Sequence, residues 1–172
     1  MKKIVLLGYM GVGKSFFGKE LANITHRKFI DLDEYIQKNE NTSIELLFQT
    51  KGELYFRKKE HYYLKEILSS DEEIILSLGG GTPCYYNNMD LLQKEDVMTI
   101  YIKASVETLF DRLKAQKSQR PLIAGIEKED LKEFIAKHLF DRSYFYNLAK
   151  IKMNIDEKEV SEVVNELLAL IR

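Results

Sequence analysis

The chain has 172 residues, enough for one domain with a full hydrophobic core. Its 26 Lys and Arg residues balance 27 Asp and Glu residues, which excludes the basic surplus of a general nucleic-acid binder. The single cysteine cannot form an internal disulfide, and no apolar run approaches the length that spans a membrane. Because glycine and charged residues follow the first apolar run at once, we infer no signal peptide and expect a cytoplasmic protein.

Short apolar, β-rich runs predict five strands, near residues 3–7, 28–31, 73–78, 97–102 and 150–155. Runs without polar alternation are typical of strands in a sheet that is covered on both faces. Helical patterns occupy the intervals, at residues 15–24, 41–50, 54–68, 105–116, 127–146 and 159–171. Thr42 and Glu45 predict a capping box at the start of the second of these helices. Strands that alternate with helices imply crossover connections, so we predict one three-layer α/β/α domain with a parallel sheet over residues 1–172.

Residues 8–15, GYMGVGKS, match the phosphate-loop pattern G-x-x-x-x-G-K-S/T between a predicted strand and a predicted helix. The glycines of such a loop leave space for phosphates, toward which backbone N–H groups and the helix N-terminus point. Lys14 would supply positive charge to the β- and γ-phosphates, and Ser15 would supply a hydroxyl ligand to Mg²⁺. We therefore predict nucleotide contacts at Gly11, Val12, Gly13, Lys14, Ser15 and Phe16. The alternative is a plain glycine turn with a lysine on the surface.

This loop predicts a nucleoside-triphosphate site without identifying the reaction. The sequence has neither the guanine-reading N-K-x-D nor a D-x-x-G after a strand, which argues against a GTPase. The chain also leaves little room for the extra domains of a motor or a helicase. A compact kinase is therefore favoured.

Two further motifs follow predicted strands. Asp31 and Asp33 end the second strand, where residues i and i+2 share a face, so both carboxylates are predicted to point into one site. One could help to position Mg²⁺ and the other could accept a proton from an attacking hydroxyl, although an acidic helix N-terminus is an alternative reading. After the third strand, Gly79, Gly80 and Gly81 indicate either close approach of a ligand to the backbone or a sharp turn.

Arginines are the remaining candidates for substrate contacts. Arg57 and Glu60 are three residues apart on a predicted helix, so Glu60 can orient the guanidinium. Arg142 lies among aromatic residues, a setting typical of a stacked structural arginine, but two arginines from separate helices can also bind one carboxylate. Arg120 belongs to a basic segment that is either a solvated loop or a lid whose arginine reaches the transferring phosphates.

Taken together, these motifs resemble the shikimate kinase family over nearly the whole chain. The shared order is the phosphate loop, D-x-D, G-E-x-x-F-R, G-G-G, R-P-L and R-x-x-x-Y-x-x-A, at residues 8–15, 31–33, 52–57, 79–81, 120–122 and 142–149. The phosphate loop is generic, whereas the combination is specific. The resemblance implies a fold like that of nucleoside monophosphate kinases, with a parallel sheet of order 2-3-1-4-5. It also implies ATP-dependent phosphorylation of the 3-hydroxyl of shikimate, in the route to aromatic amino acids.

The resemblance assigns roles to individual residues. Asp33 would hold the shikimate hydroxyls and act as base, with Lys14 and Arg120 as further catalytic residues. Asp31 would join Ser15 near Mg²⁺. The substrate contacts implied are Asp33, Arg57, Gly79, Gly80, Gly81 and Arg142, with Glu60 behind Arg57. The resemblance also implies a substrate-binding segment at about residues 31–61 and a lid at about residues 112–125. We expect a monomer whose partners are ATP and shikimate, and neither nucleic acid nor a membrane.

The sequence departs from the family pattern at two places. Phe16 stands where the family usually has threonine, so a hydroxyl that would contact the nucleotide phosphates is missing. The family's R-x-P-L-Y is R-S-Y-F-Y at residues 142–146, and the adenine-contact loop is expected around residues 154–158. The alternative functions are a gluconate-type small-molecule kinase and a nucleotide-binding regulatory protein with weak or lost catalysis.

Overall fold

A computed structural model describes residues 2–115 and 121–171 of the chain. Within these residues, parallel strands form one sheet of order β2-β3-β1-β4-β5. The strands are β1 (Lys3–Leu7), β2 (Lys28–Asp31), β3 (Ile74–Ser77), β4 (Val97–Lys103) and β5 (Ile151–Asn154). The predicted strands and the strand order implied by the family resemblance are both confirmed.

Helices connect the strands and cover the sheet. They are α1 (Lys14–Thr25), α2 (Leu32–Glu40), α3 (Ile44–Ser69), α4 (Asn88–Leu92), α5 (Val106–Lys114), α6 (Pro121–Ala124), α7 (Lys128–Asn147) and α8 (Val160–Ile171), with a 3₁₀ turn at Thr82–Cys84. Every residue of β1 and β3 is buried, so these central strands are covered on both faces. In the described part of the chain, no helix is both long and apolar enough to cross a membrane.

The position of Asp33 after β2 differs from the prediction. Asp31 ends β2, but Asp33 lies in the first turn of α2 and not on the same strand face. The reason is a helix cap, because the Asp31 carboxylate accepts hydrogen bonds from the backbone N–H groups of Asp33 and Glu34. The strand-face argument was therefore wrong, and the acidic helix N-terminus is present.

The predicted capping box was also wrong. The N-cap of α3 is Ser43, whose Oγ accepts a hydrogen bond from the backbone N–H of Leu46 at 3.2 Å. Thr42 is one residue too early because its N–H donates to the carbonyl of Gln37 and closes the end of α2. Its Oγ1 is buried without a hydrogen-bond partner among the described residues.

The helix α3 contains a break that the sequence placed correctly. The predicted helices at residues 41–50 and 54–68 correspond to one element with non-helical backbone at Gly52, φ 79° and ψ 168°. Two arms, residues 44–51 and 53–69, therefore meet at this glycine. The second arm carries Arg57 and Glu60 toward the carboxyl edge of the sheet, where the loops after β1, β2 and β3 also lie.

Candidate active site

The phosphate loop joins β1 to α1 with backbone conformations that favour glycine. Gly11 and Gly13 have φ of 79° and 101°, in the left-handed region. A methyl group on Gly8 would lie 2.5 Å from the carbonyl oxygen of Ile102 in β4. The loop therefore requires glycine both for its turn and for its close approach to the sheet.

Lys14 and Ser15 begin α1 and face the polar groups at the ends of the strands. The Lys14 Nζ donates to the carbonyl oxygens of Gly8 at 2.9 Å and Tyr9 at 3.0 Å. The Ser15 Oγ donates to Asp31 Oδ2 at 2.5 Å and lies 3.3 Å from the Oγ of Ser77, the last residue of β3. The serine hydroxyl and the Asp31 carboxylate are hard oxygen donors, which suit Mg²⁺ when phosphate oxygens supply further ligands.

A cavity of about 330 Å³ opens beside these groups. The phosphate loop, Asp31, Asp33, Gly79 and Gly80 all line it, so the structure brings the predicted nucleotide loop together with the motifs that follow β2 and β3. Phe16 also lines the cavity, with half of its surface exposed and its ring edge against Phe17. This departure from the family pattern therefore places an aromatic ring at the rim of the predicted nucleotide site.

Asp33 carries a carboxyl group with a perturbed ionisation. Burial raises its pKa to about 6, and the neighbouring carboxylates of Asp31 and Glu60 act in the same direction. Lys14 and Arg57 act in the opposite direction. A carboxylate with this pKa is still ionised at pH 7 and is a stronger base than an ordinary aspartate, as a proton acceptor requires.

Arg57 is buried and held by three side chains. Its Nη1 donates to both oxygens of Glu60, at 3.1 and 3.0 Å, and its Nε donates to Glu53 Oε1 at 3.3 Å. The guanidinium carbon lies 4.1 Å from the centroid of the Tyr85 ring. Glu60 also accepts a hydrogen bond from Thr82 Oγ1 at 2.6 Å, and burial raises its pKa. The predicted contact between Arg57 and Glu60 is present.

The glycine triplet lies against three of the candidate side chains. A methyl group on Gly79 would be 2.9 Å from Asp33 Oδ1, one on Gly80 would be 3.2 Å from Arg142 Nη1, and one on Gly81 would be 2.7 Å from Arg57 Nη2. The glycines therefore leave space for an aspartate and two arginines that come from different helices. They also form a turn, because the N–H of Thr82 donates to the carbonyl of Gly79.

Arg142 reaches the same place from α7. Its guanidinium carbon lies 5.9 Å from the centroid of the Tyr9 ring, so it is close to both the phosphate loop and the glycine triplet. On the next turn of α7, the buried Tyr146 donates its hydroxyl to the carbonyl of Gly80 at 2.6 Å. The altered R-S-Y-F-Y motif thus still directs its arginine toward the glycine triplet.

Several contributing residues were not identified from the sequence. Tyr85 covers Arg57, Ser77 lies beside Ser15, and Arg112 on α5 donates to the carbonyl of Val12 at 3.0 Å. Ser77 directly precedes LGGG, which is a usable signal. The other two are distant in sequence from the groups that they contact, so no local pattern points to them.

Two predicted parts of the nucleotide site, the adenine-contact loop and Arg120, stay predictions. Residues 154–158 begin at the last residue of β5, and the Asp156 carboxylate accepts hydrogen bonds from the N–H of Ser105 and the hydroxyl of Thr108. This ties the loop to the start of α5, while its adenine contact stays a prediction. Arg120 lies outside the described residues, so its role as a lid arginine also stays a prediction.

Comparisons with known proteins agree with this arrangement. The shikimate kinase family model matches residues 10–172. A shikimate kinase from Flavobacterium johnsoniae is 52% identical over 171 residues, which cover 99% of each chain. The crystal structure of a shikimate kinase from Bacteroides thetaiotaomicron matches with a TM-score of 0.91 at 36% identity, over 98% of this chain and 97% of that chain. A shikimate kinase from Acinetobacter baumannii in complex with shikimate matches with a TM-score of 0.86 at 28% identity, over 99% and 93%. The chain belongs to the shikimate kinase family.

Proposed function

We propose that this chain transfers the γ-phosphoryl group of ATP to the 3-hydroxyl of shikimate, giving ADP and shikimate 3-phosphate in the pathway to chorismate. The observation that carries the proposal is the juxtaposition of a phosphate loop with Asp33, Arg57 and Arg142 around one glycine triplet. Shikimate offers a carboxylate for the arginines and hydroxyls for the aspartate. Full-length similarity to shikimate kinases favours this reaction over that of a gluconate-type kinase.

The nucleotide side of the site neutralises phosphate charge. The backbone N–H groups of residues 11–16 and the Nζ of Lys14 bind the β- and γ-phosphates. Ser15 and Asp31 would hold Mg²⁺, and the metal ion would offset negative charge on the β- and γ-phosphate oxygens. To bind phosphate, Lys14 releases its hydrogen bonds to the carbonyl oxygens of Gly8 and Tyr9 and donates to phosphate oxygens instead. Arg120, in a lid at about residues 112–125, supplies a further positive charge.

The acceptor side orients shikimate for in-line attack. Arg57 and Arg142 bind its carboxylate, and Glu60 keeps the Arg57 guanidinium in a fixed plane. Asp33 accepts a hydrogen bond from the attacking hydroxyl and takes its proton as the new O–P bond forms. The bond between the γ-phosphorus and the β,γ-bridging oxygen of ATP breaks in the same step, and that oxygen leaves with ADP. Asp33 and Arg57 lie in the substrate-binding segment of about residues 31–61, while Arg142 reaches the same site from α7. We propose that the enzyme acts as a cytoplasmic monomer.

The direct test is a coupled ADP-release assay with and without shikimate, with the product identified by mass spectrometry. We expect turnover that requires shikimate and Mg²⁺, and none with gluconate as the matched carboxylate-bearing control. Binding of ATP and shikimate without turnover by folded protein would support the regulatory alternative instead. Turnover of gluconate but not of shikimate would identify the rival kinase.

The arginine assignments predict a selective loss of shikimate use. Arg142→Ala and Arg57→Lys should raise the KM for shikimate by about tenfold or more, because a paired hydrogen bond to the carboxylate is lost. The KM for ATP should change little. Lys58→Ala, an exposed neighbour of Arg57 on α3, is the control. An effect of either arginine variant on ATP alone would contradict the assignment.

A further inference from the structure

The phosphate loop and the helix that carries Arg142 are joined by a side-chain pair to which the reaction gives no direct role. Tyr9, in the loop, is 1% exposed, and its hydroxyl lies 3.0 Å from Nδ1 of His138 on α7. The two rings also meet edge to face, with centroids 5.6 Å apart and an interplanar angle of 89°. These residues are 129 positions apart in the sequence, so the contact depends on how the loop packs against α7.

The protonation states define the direction of this hydrogen bond. Burial raises the pKa of Tyr9 to about 12, so the phenol keeps its proton at neutral pH. Burial and the nearby Arg142 lower the pKa of His138 to about 4, so the imidazole is neutral. The hydroxyl of Tyr9 therefore donates to Nδ1, and we assign the ring proton of His138 to Nε2. A neutral imidazole adds no positive charge beside Arg142.

Tyr9 also contacts two cationic groups of the site, Lys14 and Arg142. His138 and Arg142 are four residues apart on α7 and share one face of the helix. The centroid of the Tyr9 ring lies 5.9 Å from the Arg142 guanidinium carbon. The backbone carbonyl oxygen of Tyr9 accepts a hydrogen bond from the Nζ of Lys14 at 3.0 Å. One loop residue therefore touches the lysine on the nucleotide side and the arginine on the acceptor side.

We propose that Tyr9 and His138 are a positioning pair that holds Arg142 against the phosphate loop, so that the acceptor carboxylate is bound at a fixed distance from the phosphates. Without the hydrogen bond, this turn of α7 loses its attachment to the loop, and the guanidinium loses the aromatic surface beside it. The inference rests on the proposed function, because it assumes that Arg142 binds the carboxylate of shikimate.

The experiment removes the hydrogen bond from each side and then restores it. His138→Leu keeps the volume without an acceptor, Tyr9→Phe keeps the ring without a hydroxyl, and His138→Asn places an amide oxygen near the position of Nδ1. We expect the first two variants to raise the KM and Kd for shikimate by about three- to tenfold, as the loss of one neutral hydrogen bond implies. The KM for ATP should stay within about twofold, and His138→Asn should recover most of the shikimate affinity.

A double variant and a surface control complete the design. Tyr9→Phe with His138→Leu should be no worse than either single variant, because both remove the same bond. Lys137→Ala, exposed on α7, should leave both KM values unchanged. Unchanged shikimate affinity in the variants, or an equal loss for ATP and shikimate, would overturn the positioning role while wild-type turnover persists. If His138→Leu does not fold, Tyr9→Phe alone decides, since it removes one oxygen atom. Absence of shikimate turnover in the wild type would instead overturn the proposed function.

Discussion

At the scale of single residues, Asp33 shows how neighbours set the chemistry of a side chain. Burial and the carboxylates of Asp31 and Glu60 favour its neutral form, whereas Lys14 and Arg57 favour its ionised form. The first group of effects prevails, and the resulting pKa of about 6 suits a base that works near neutral pH. The same balance makes two predictions, one for activity and one for stability.

The first prediction concerns the pH dependence of catalysis. If Asp33 accepts the proton, kcat/KM for shikimate should be constant above pH 7 and fall about tenfold per pH unit below pH 6, where the carboxyl is protonated. Steady-state assays from pH 4.5 to 8 measure this fall in kcat/KM. Activity is rechecked at pH 7.5 after incubation at each pH, to show that the enzyme remains intact. A midpoint near pH 4 in stable enzyme would contradict a raised pKa of the essential group.

The second prediction concerns Asp33→Asn. The pKa of Asp33 is about 6 in the folded state against an ordinary value of 3.8, so ionisation destabilises the folded state as the pH rises through 6. At pH 8 the variant should therefore gain about 2–3 kcal/mol in free energy of unfolding, at about 1.4 kcal/mol per pKa unit. The gain should nearly vanish at pH 4, where the folded carboxyl is already protonated.

Urea unfolding at both pH values measures the difference, and Glu34→Gln is the control. Glu34 is the next residue on α2 and is exposed, so its removal should change stability little at either pH. Asp33→Asn should at the same time lower kcat by about 10²- to 10⁴-fold, the usual contribution of a general base. A variant that is less stable at pH 8 than the wild type would argue that Asp33 makes a net favourable contribution to folding.

At the scale of elements, the break in α3 and the contacts between α2 and α3 together position the helix arm that carries Arg57. Glu40, the last residue of α2, accepts hydrogen bonds from the hydroxyls of Tyr55 and Tyr63, each at 2.8 Å. Its carboxylate also pairs with Lys59 at 2.8 Å. These three partners lie on the second arm of α3, so α2 is attached to the arm that carries Arg57. The backbone conformation at Gly52 sets the direction of that arm.

Gly52→Ala should therefore destabilise the protein, although a methyl group would meet no described atom within 4 Å apart from its immediate neighbours. The backbone at φ 79° and ψ 168° is in a region that is essentially limited to glycine, and the strain is worth about 1–3 kcal/mol. Gly125→Ala is the matched control, because that glycine also has open space around it in the described structure but no positive φ. Equal losses in urea unfolding for the two variants would refute the backbone argument.

At the scale of the whole molecule, the parallel sheet places both proposed substrate sites at one edge. The carboxyl ends of β1, β2 and β3 lead into the phosphate loop, α2 and the glycine triplet respectively. Parallel strands share a direction, so these loops meet even though they are far apart in the sequence. Ligands that bind there contact several elements at once and should stabilise the folded state as a whole.

This predicts a thermal shift for each substrate. At about one hundred times its Kd, a non-hydrolysable ATP analogue with Mg²⁺, or shikimate, should each add about 2.7 kcal/mol. For a chain of this length that corresponds to roughly 5–10 °C in Tm. Removing Mg²⁺ with EDTA should reduce the nucleotide shift but not the shikimate shift, and gluconate should give none. An EDTA effect on shikimate alone would contradict the placement of Mg²⁺ at Ser15 and Asp31.

Much of the fold was predictable because its signals are local. The five strands are short apolar runs, and the phosphate loop is recognised from the spacing within eight consecutive residues. The pairing of Arg57 with Glu60 follows from helical periodicity alone. The helix start at Ser43 rather than Thr42 was missed because neighbouring residues compete to close α2 and to begin α3. For Asp33 the local pattern left a strand end and a helix start both open, and the cap at Asp31 decided for the helix.

The sequence by itself determined the class of sheet, the presence of a nucleotide loop and the identity of most candidate residues. Only the tertiary structure decided which of them meet. The contacts of Arg142 with Tyr9, of Arg57 with Tyr85 and of Tyr9 with His138 join residues on separate elements. The physical reason is that a local pattern specifies the conformation of a few neighbouring residues. Long-range contacts and the raised pKa of Asp33 arise only when packing brings separate elements together and removes water from between them.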